Sequence, residues 1–445
     1  MIASRMTSDG LASRGTKKRF FMNHLPITRR LFLKGAAGVA APCIITSAAP
    51  GNQDRPPPSE RVTLAVIGLG NRNRSNLANF LAQPDVQCVA VCDCFADRRS
   101  KGKEMVDRHY GNAGCRATRF HEEVLGRDDI DAVLIGTGDR WHAVLSILAA
   151  KAGKDAYCEK PFSLTVGEGR RLVEITKRYG TIWQCGTQRR SNDSYRFVVG
   201  AIHRGMIGKL HTITAVLGGW GGNGTATPEP PPDPEAFDYD RWLGQAPWRP
   251  YSPVSVRLWR NHWDTGAGVI ADMGAHYFDF AQWVHRSELS GPVEFEGTAV
   301  WPEGGFATVP FSVDVEARYA DGVRLLMTNG SKGVRFDGDA GWIHITDFGE
   351  ITAEPRSILR ARDVPRVAWS YMGGHVRNFL DCIRSRKPAA SRPELAHRAH
   401  TIAHCANICL RLGRKVRWSP EAERFVDDPM ADRMLARAPR PPWRV

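Results

Sequence analysis

"RVTLAVIGLGNRNRSNLANFLAQPDVQCVAVCDCFADR", residues 61–98, decides the fold. Residues 62–67 form a short apolar, β-branched run, the pattern of a strand buried on both faces. Gly68-Leu69-Gly70 turns the chain. Leu77, Phe80 and Leu81 then recur at helical spacing, which predicts a helix over 71–81. A second apolar run, 86–91, ends at Cys92-Asp93. Strand, glycine turn, helix, strand and acid is the order of a dinucleotide-binding unit.

Each piece has a chemical reason. Gly68 permits the tight turn, and Gly70 lets the backbone of Leu69, Asn71 and Arg72 approach a diphosphate. The helix N-terminus offers unpaired N–H groups and partial positive charge. Asp93 can accept hydrogen bonds from both ribose hydroxyls and would repel a 2′-phosphate. NAD is therefore favoured, with Arg98 and Arg99 leaving NADP as the alternative. Asn73 stands where the third glycine of G-x-G-x-x-G is expected.

The alternation continues. Residues 131–136 read as a third buried strand, followed by Thr137-Gly138-Asp139-Arg140-Trp141-His142 and a helix through 150. Ala156-Tyr157-Cys158 reads as the next strand and delivers Glu159-Lys160-Pro161. A helix over 166–178 leads to a strand over 181–185, then Gly186-Thr187-Gln188. Ligands of doubly wound sheets bind outside the carboxyl ends of the strands, and these polar clusters all lie there. Thr137, Trp141, His142, Glu159, Lys160 and Gln188 thus join Gly68, Leu69, Gly70, Asn71, Arg72 and Asp93 as candidate cofactor contacts.

With these motifs the chain resembles the glucose–fructose oxidoreductase/inositol dehydrogenase (Gfo/Idh/MocA) family over nearly all of residues 62–443. The most specific motif is Glu159-Lys160-Pro161. The resemblance implies that Lys160 reaches the nicotinamide ribose and the reacting hydroxyl, with a Lys-Pro peptide that is often cis. A second signature lies in "DTGAGVIADMGAHYFDFAQWVH", residues 264–285. Asp272 and His276 are four apart, so on a helix they share one face. The resemblance makes His276 the proton acceptor from a sugar hydroxyl, Asp272 its orienting partner or a hydroxyl ligand, and Lys160 the cation that steadies the alkoxide. Two departures stand out. The family commonly reads T-P-D-H-W-H where this chain has Gly138 and Arg140, so the loop loses a proline and gains a fixed charge.

After Gln188 the pattern changes. A helix leads into a strand over 210–216, then a Gly-rich run (218–224) and a Pro-rich run (228–234) form a long loop. "DYDRWLGQAPWRPYSP" (238–253) and "RLWRNHWD" (257–264) bring Trp and Arg residues suited to a sugar platform. Arg190, Arg260 and Trp263 are the candidate substrate contacts there, with Lys160, Asp272 and His276. Alternating β-rich stretches over 293–347 suggest an open sheet, and amphipathic helices are expected over 372–385 and 393–412. The fold class is α/β: an N-terminal Rossmann-type doubly wound parallel sheet (60–188) and a C-terminal α+β domain (189–445) with a large, open, mainly antiparallel sheet. The family resemblance implies homo-oligomerisation through that sheet.

Composition narrows the class. The 445 residues are 42% hydrophobic and 24% charged, ordinary for a globular protein. Residues 1–50 carry a net charge of +7, half of the total of +14. The remaining Lys and Arg are scattered, which argues against nucleic acid as partner. The basic tail (Arg433, Arg437, Arg440, Arg444) reads as a surface tail. Ten cysteines lack metal spacing; apart from Cys43, they read as buried free thiols, and no metal site is expected. Thr28-Arg29-Arg30-Leu31-Phe32-Leu33-Lys34, followed by small apolar residues to Ala49, resembles a twin-arginine signal. Residues 1–49 are therefore expected to engage the twin-arginine export machinery, placing the protein in the periplasm or cell envelope. That route carries folded proteins, often with cofactor bound. The expected activity is hydride transfer between a sugar or polyol CHOH group and a tightly bound NAD. The alternative is an NAD-dependent glycosidase that oxidises, eliminates and re-reduces.

Overall fold

A computed structural model describes residues 56–219, 221–361 and 374–443, all within one compact unit. The leader over 1–49 lies outside the described residues. Six strands, β1 (Val62–Ile67), β2 (Val86–Cys92), β3 (Arg116–Thr118), β4 (Ala132–Ile135), β5 (Asp155–Cys158) and β6 (Trp183–Cys185), make one sheet. Its order is β3-β2-β1-β4-β5-β6, and all its pairs are parallel. Strand order reverses between β1 and β4, so a crevice opens there at the carboxyl edge. The strands are almost wholly buried because helices cover both faces.

Nine further strands follow: β7 (Leu210–Val216), β8 (Glu294–Val300), β9 (Ser312–Arg318), β10 (Arg324–Thr328), β11 (Gly333–Gly338), β12 (Gly341–Thr346), β13 (Ile351–Glu354), β14 (Val416–Ser419) and β15 (Arg424–Phe425). Their order is β13-β12-β11-β7-β10-β9-β8-β14-β15. The pairing is antiparallel except for β7 with β10. Burial alternates along these strands, as in β9, so one face is covered and one is open. The helices Gly274–His285 and Pro393–Leu412 pack on the covered face, with Phe280, Trp283, Ile402 and Cys409 in the shared core. Pro393 at the first turn and Gly413, at φ +63° just past the end, delimit the second of these.

All nine described cysteines are free thiols, and all but Cys94 are buried. Of the basic tail, Arg433 is exposed as its composition suggests and Arg444 lies outside the described residues, but Arg437 and Arg440 are held against the fold. Arg437 donates to the carbonyls of Trp263 (2.5 Å) and Leu164 (3.3 Å), and the backbone N–H of Arg440 donates to Gln245 O (2.9 Å). Carbonyls of both halves, Leu164 in the first and Trp263 and Gln245 in the second, recruit these arginines.

Candidate functional site

β1 ends in Gly68 at φ +86°, and an added Cβ would sit 2.7 Å from the carbonyl oxygen of Gly136 after β4. Only glycine lets the two strand ends approach so closely. At Gly70 an added Cβ would meet nothing within 4 Å, so its backbone faces open space. The helices Asn71–Leu81 and Asp139–Lys151 start there behind Gly70 and Gly138, and neither start has a side-chain cap. Two uncapped N-termini thus converge on a cavity of about 770 Å³. Asn73 compensates for the missing third glycine, because its amide donates to Gly68 O at 2.6 Å and fixes the turn.

Asp93, at the end of β2, accepts from the N–H groups of Leu69 (2.6 Å) and Phe95 (2.9 Å). Burial pushes its carboxyl above the ordinary range, against the pull of Arg98 and of those N–H groups. Arg98 lies over the Phe95 ring at 4.0 Å, and Arg99 donates to Asp93 O at 2.9 Å. A strap from the second half roofs this end. Phe237 stacks on Phe95 at 3.9 Å, while Ala96 N–H donates to Ala236 O and Asp238 N–H to Cys94 O. Arg140, expected to place a charge beside the ligand, lines the cavity although it is 1% exposed, and it also holds the strap. Its Nε and Nη2 both donate to Trp242 O, and its guanidinium lies 4.1 Å from the Trp242 ring. Gly138 makes room, since a Cβ there would come within 2.6 Å of Arg140 Nη1.

Lys160 follows β5, and its peptide bond to Pro161 is cis. Glu159 accepts from Arg72 (3.1 Å), Asn76 (2.7 Å) and Gln188 (3.0 Å), so the cofactor-side candidates are tied to one carboxylate. His142 shares a 2.7 Å hydrogen bond between Nδ1 and Pro161 O, and burial lowers its pKa to about 4. Lys160 Nζ crosses the cleft and donates to Asp272 O (2.8 Å) and Asp272 Oδ1 (3.0 Å). Burial opposes the charge on Asp272, but Lys160 and Arg260, the latter 3.8 Å away, hold its pKa below the usual value.

The face-sharing expected of Asp272 and His276 needs one correction. Their helix is interrupted: Gly268–Asp272 ends, and Gly274–His285 begins beyond Met273. In an unbroken helix the N–H of His276 would donate to Asp272 O. It donates instead to Met273 O at 3.1 Å, which leaves Asp272 O for Lys160. Both side chains still line the cavity. His276 is buried, its Nδ1 lacks a partner among the described residues, and burial together with Arg189 and Lys160 pushes its pKa well below the ordinary value.

Of the remaining candidates, Gly68, Gly70, Asn71, Arg72, Asp93, Thr137, Trp141, Gln188 and Arg260 line the cavity. Leu69 contributes through its backbone, with its side chain fully buried. Arg190 and Trp263 are not brought there. Arg190 is 1% exposed and pairs with Asp279 (2.7 and 2.8 Å) and Glu288 (2.7 Å). Trp263 is sandwiched between the guanidinium groups of Arg411 (3.8 Å) and Arg437 (4.0 Å). A second hollow, of about 1000 Å³, lies by the amino ends of the strands. Its charges are matched internally, as Arg377 with Asp85 (2.8 Å) and Arg386 with Asp155 (2.6 Å). It lies at the opposite end of the strands from Lys160, Asp272 and His276, so the chemistry belongs to the first cavity. Trp242 and Trp259, from the two aromatic segments over 238–253 and 257–264, do line the cavity, and so does Asp139, quoted in its loop without a role. The described residues hold no cluster of metal-ligating side chains.

A cleft with this glycine turn, its bare helix starts and a carboxylate at the end of β2 fits a nicotinamide dinucleotide, which places the protein among NAD-binding oxidoreductases. Residues 62–187 match the model "Oxidoreductase family, NAD-binding Rossmann fold", and residues 207–445 match "Oxidoreductase family, C-terminal alpha/beta domain". The chain belongs to the Gfo/Idh/MocA oxidoreductase family. It is 31% identical to the myo-inositol 2-dehydrogenase of Thermotoga maritima over 150 residues, 34% of this chain and 43% of that protein. It is 34% identical to a glycosyl hydrolase family 109 protein of Solibacter usitatus over 131 residues, 27% of this chain and 30% of that one. The match thus spans less than half the length of either relative. The aldose-aldose oxidoreductase of Caulobacter crescentus superposes with a TM-score of 0.60 at 16% identity, covering 80% of this chain and 99% of that one. The WlbA dehydrogenase of Bordetella pertussis, solved with NADH and UDP-GlcNAcA, gives 0.60 at 14% identity over 80% and 98%. Both likenesses concern the fold.

Proposed function

We propose that this protein transfers hydride between a sugar or polyol CHOH group and a tightly held NAD. The observation that carries the reading is the Lys160–Asp272 contact across a cavity that starts at the glycine turn and ends at His276. The bound nicotinamide would supply the hydride acceptor. Lys160 presents a fixed cation to the oxygen that gains charge, and Asp272 anchors that cation in place. Arg260 and Asp272 offer polar groups to neighbouring hydroxyls. The strap over Asp93 favours retention of the nucleotide. The leader motif at Arg29-Arg30 supports export of the folded, loaded protein by the twin-arginine route to the periplasm. The open face of the nine-stranded sheet is the surface on which copies would pair.

The experiment is to purify the protein with its retained nucleotide and add free sugars, polyols and nitrophenyl glycosides. Growth of the reduced-nicotinamide absorbance band on adding myo-inositol or an aldose supports the reading. Release of nitrophenol without net reduction supports a second one, NAD-dependent glycoside cleavage, which the family 109 likeness favours. Neither signal refutes both. Replacing Arg29-Arg30 by two lysines should retain the protein in the cytoplasm, whereas unchanged periplasmic yield refutes the export route.

A further inference from the structure

Arg260 stands on the single turn Trp259–Asn261 and lines the cavity that holds Lys160, Asp272 and His276. Its guanidinium packs over the Trp259 ring at 4.3 Å, and its side chain is 44% exposed. None of its N–H donors is used in a hydrogen bond to a described residue. Its one ion-pair partner among the described residues is Asp272 Oδ1, at 3.8 Å, too far for a hydrogen bond.

The other cations of the cavity are committed. Lys160 donates twice to Asp272, Arg189 pairs with Asp347 and donates to the Tyr195 hydroxyl at 3.1 Å, and Arg72 pairs with Glu159 at 3.1 Å. Arg119 meets Glu235 of the strap at 2.7 Å, Arg140 holds Trp242 O, and Arg241 meets Glu122 at 2.8 Å. Arg98 lies over Phe95, at the nucleotide end. Arg260 is thus the uncommitted fork at the end where Lys160 meets Asp272. Of the acids there, Asp272 already binds Lys160, and burial favours the neutral form of Asp139.

A guanidinium fork matches the paired oxygens of a carboxylate or a phosphate. A neutral sugar filling the cavity would strip water from Arg260 and return only hydroxyl contacts. A charge taken from water without a counter-charge is costly, and an anionic substituent supplies that counter-charge. The position fits as well. Lys160 Nζ and Arg260 Nε approach the same oxygen, Asp272 Oδ1, at 3.0 and 3.8 Å. One sugar ring therefore spans from a reacting hydroxyl at Lys160 to a charged substituent at Arg260.

We propose that the sugar oxidised here is anionic, carrying a carboxylate or phosphate that Arg260 binds. The proposal rests on the oxidoreductase reading and names the substrate class of that site. Arg260 sets the choice of substrate, while Lys160 stays at the reacting oxygen. The Trp259 ring holds the fork in place, which limits the freedom lost on binding.

The test mixes the NAD-loaded protein with D-glucuronate, D-glucose 6-phosphate, and neutral D-glucose and myo-inositol. Growth of the reduced-nicotinamide band reads turnover, and isothermal titration reads binding. An anionic sugar should exceed the neutral ones by about 10–100-fold in kcat/KM, the scale of hydrogen bonds to a charged group. Glucuronate in front identifies a carboxylate, and glucose 6-phosphate in front identifies a phosphate. Arg260→Gln should erase most of that advantage, chiefly through KM. Arg260→Lys, which keeps the charge and loses the fork, should recover part of it. Neutral sugars matching both anions in kcat/KM and affinity overturn the proposal and leave the oxidoreductase reading standing. An Arg260→Gln variant that keeps the full preference also overturns it. An anion whose binding depends on Arg260 but that reduces no cofactor refutes the oxidoreductase reading alone. Neither binding nor reduction by any of these sugars overturns both.

Discussion

Replacing Lys160 by Met removes the one cation that bonds Asp272 directly. Its Nζ lies 2.8 Å from Asp272 O and 3.0 Å from Asp272 Oδ1, and both side chains are 15% exposed. The variant leaves a buried carboxylate with Arg260 at 3.8 Å as its remaining close counterion, and strands the carbonyl freed by the Met273 break. Breaking a buried pair from one side costs about 3–5 kcal/mol. Arg260 and the residual exposure place this case near the lower end, about 3 kcal/mol. Lys160→Met/Asp272→Asn removes both charges, so the two single losses should exceed the double loss by about 2 kcal/mol. Urea unfolding of the four proteins, at equal cofactor saturation, measures the cycle. The same variant should lose about 10²–10³-fold in the rate of cofactor reduction, the scale of one lost oxyanion-stabilising donor. Additive stability losses, or an unchanged rate, would refute a direct Lys160–Asp272 couple.

Three other outcomes follow from the geometry. Arg190→Met should destabilise by about 3–5 kcal/mol, because Asp279 stays buried without its cation; cofactor affinity should hold, as isothermal titration will show. Gly68→Ala should lose cofactor retention and about 1–3 kcal/mol of stability, since φ is +86° and the added Cβ meets Gly136 O at 2.7 Å; wild-type nucleotide content after dialysis contradicts this. Burial lowers His142 and His375 to about 4 and His400 to about 3, whereas unfolded histidine titrates near about 6.5. Between those values the unfolded chain binds more protons, so stability should drain away as pH falls from about 6.5 towards 4. Each such histidine contributes at most about 3 kcal/mol, and a Tm that stays flat over that window would contradict the account.

What the sequence revealed was local. The run 62–67, the glycine turn and the helix over 71–81 obey periodicity and turn chemistry that neighbouring residues settle alone, and the structure has them at those positions. The last long helix was legible from Pro393 and Gly413 for the same reason. Lys160 and Asp272, 112 residues apart, could be paired only through the family resemblance, because spacing says nothing about what crosses a cleft. The break at Met273 was hidden, since the 3.6-residue pattern runs through it unbroken, and it leaves Asp272 O to accept from Lys160. Arg190 looked available beside the ligand loop, but its partners lie 89 and 98 residues away. Arg411 and Arg437 enclose Trp263 from distant segments, so the aromatic signal pointed to a platform that packing has already used.

The central claim is direct hydride transfer from a sugar carbon to the bound nicotinamide. Its sharpest test is to mix the NAD-loaded protein with a sugar or polyol deuterated at its CHOH carbons, release the cofactor and examine it by mass spectrometry and NMR. The account predicts one deuterium on the nicotinamide ring in a single configuration, in an amount matching the reduced fraction. Reduced cofactor carrying only solvent hydrogen, or none reduced by any sugar, would contradict it.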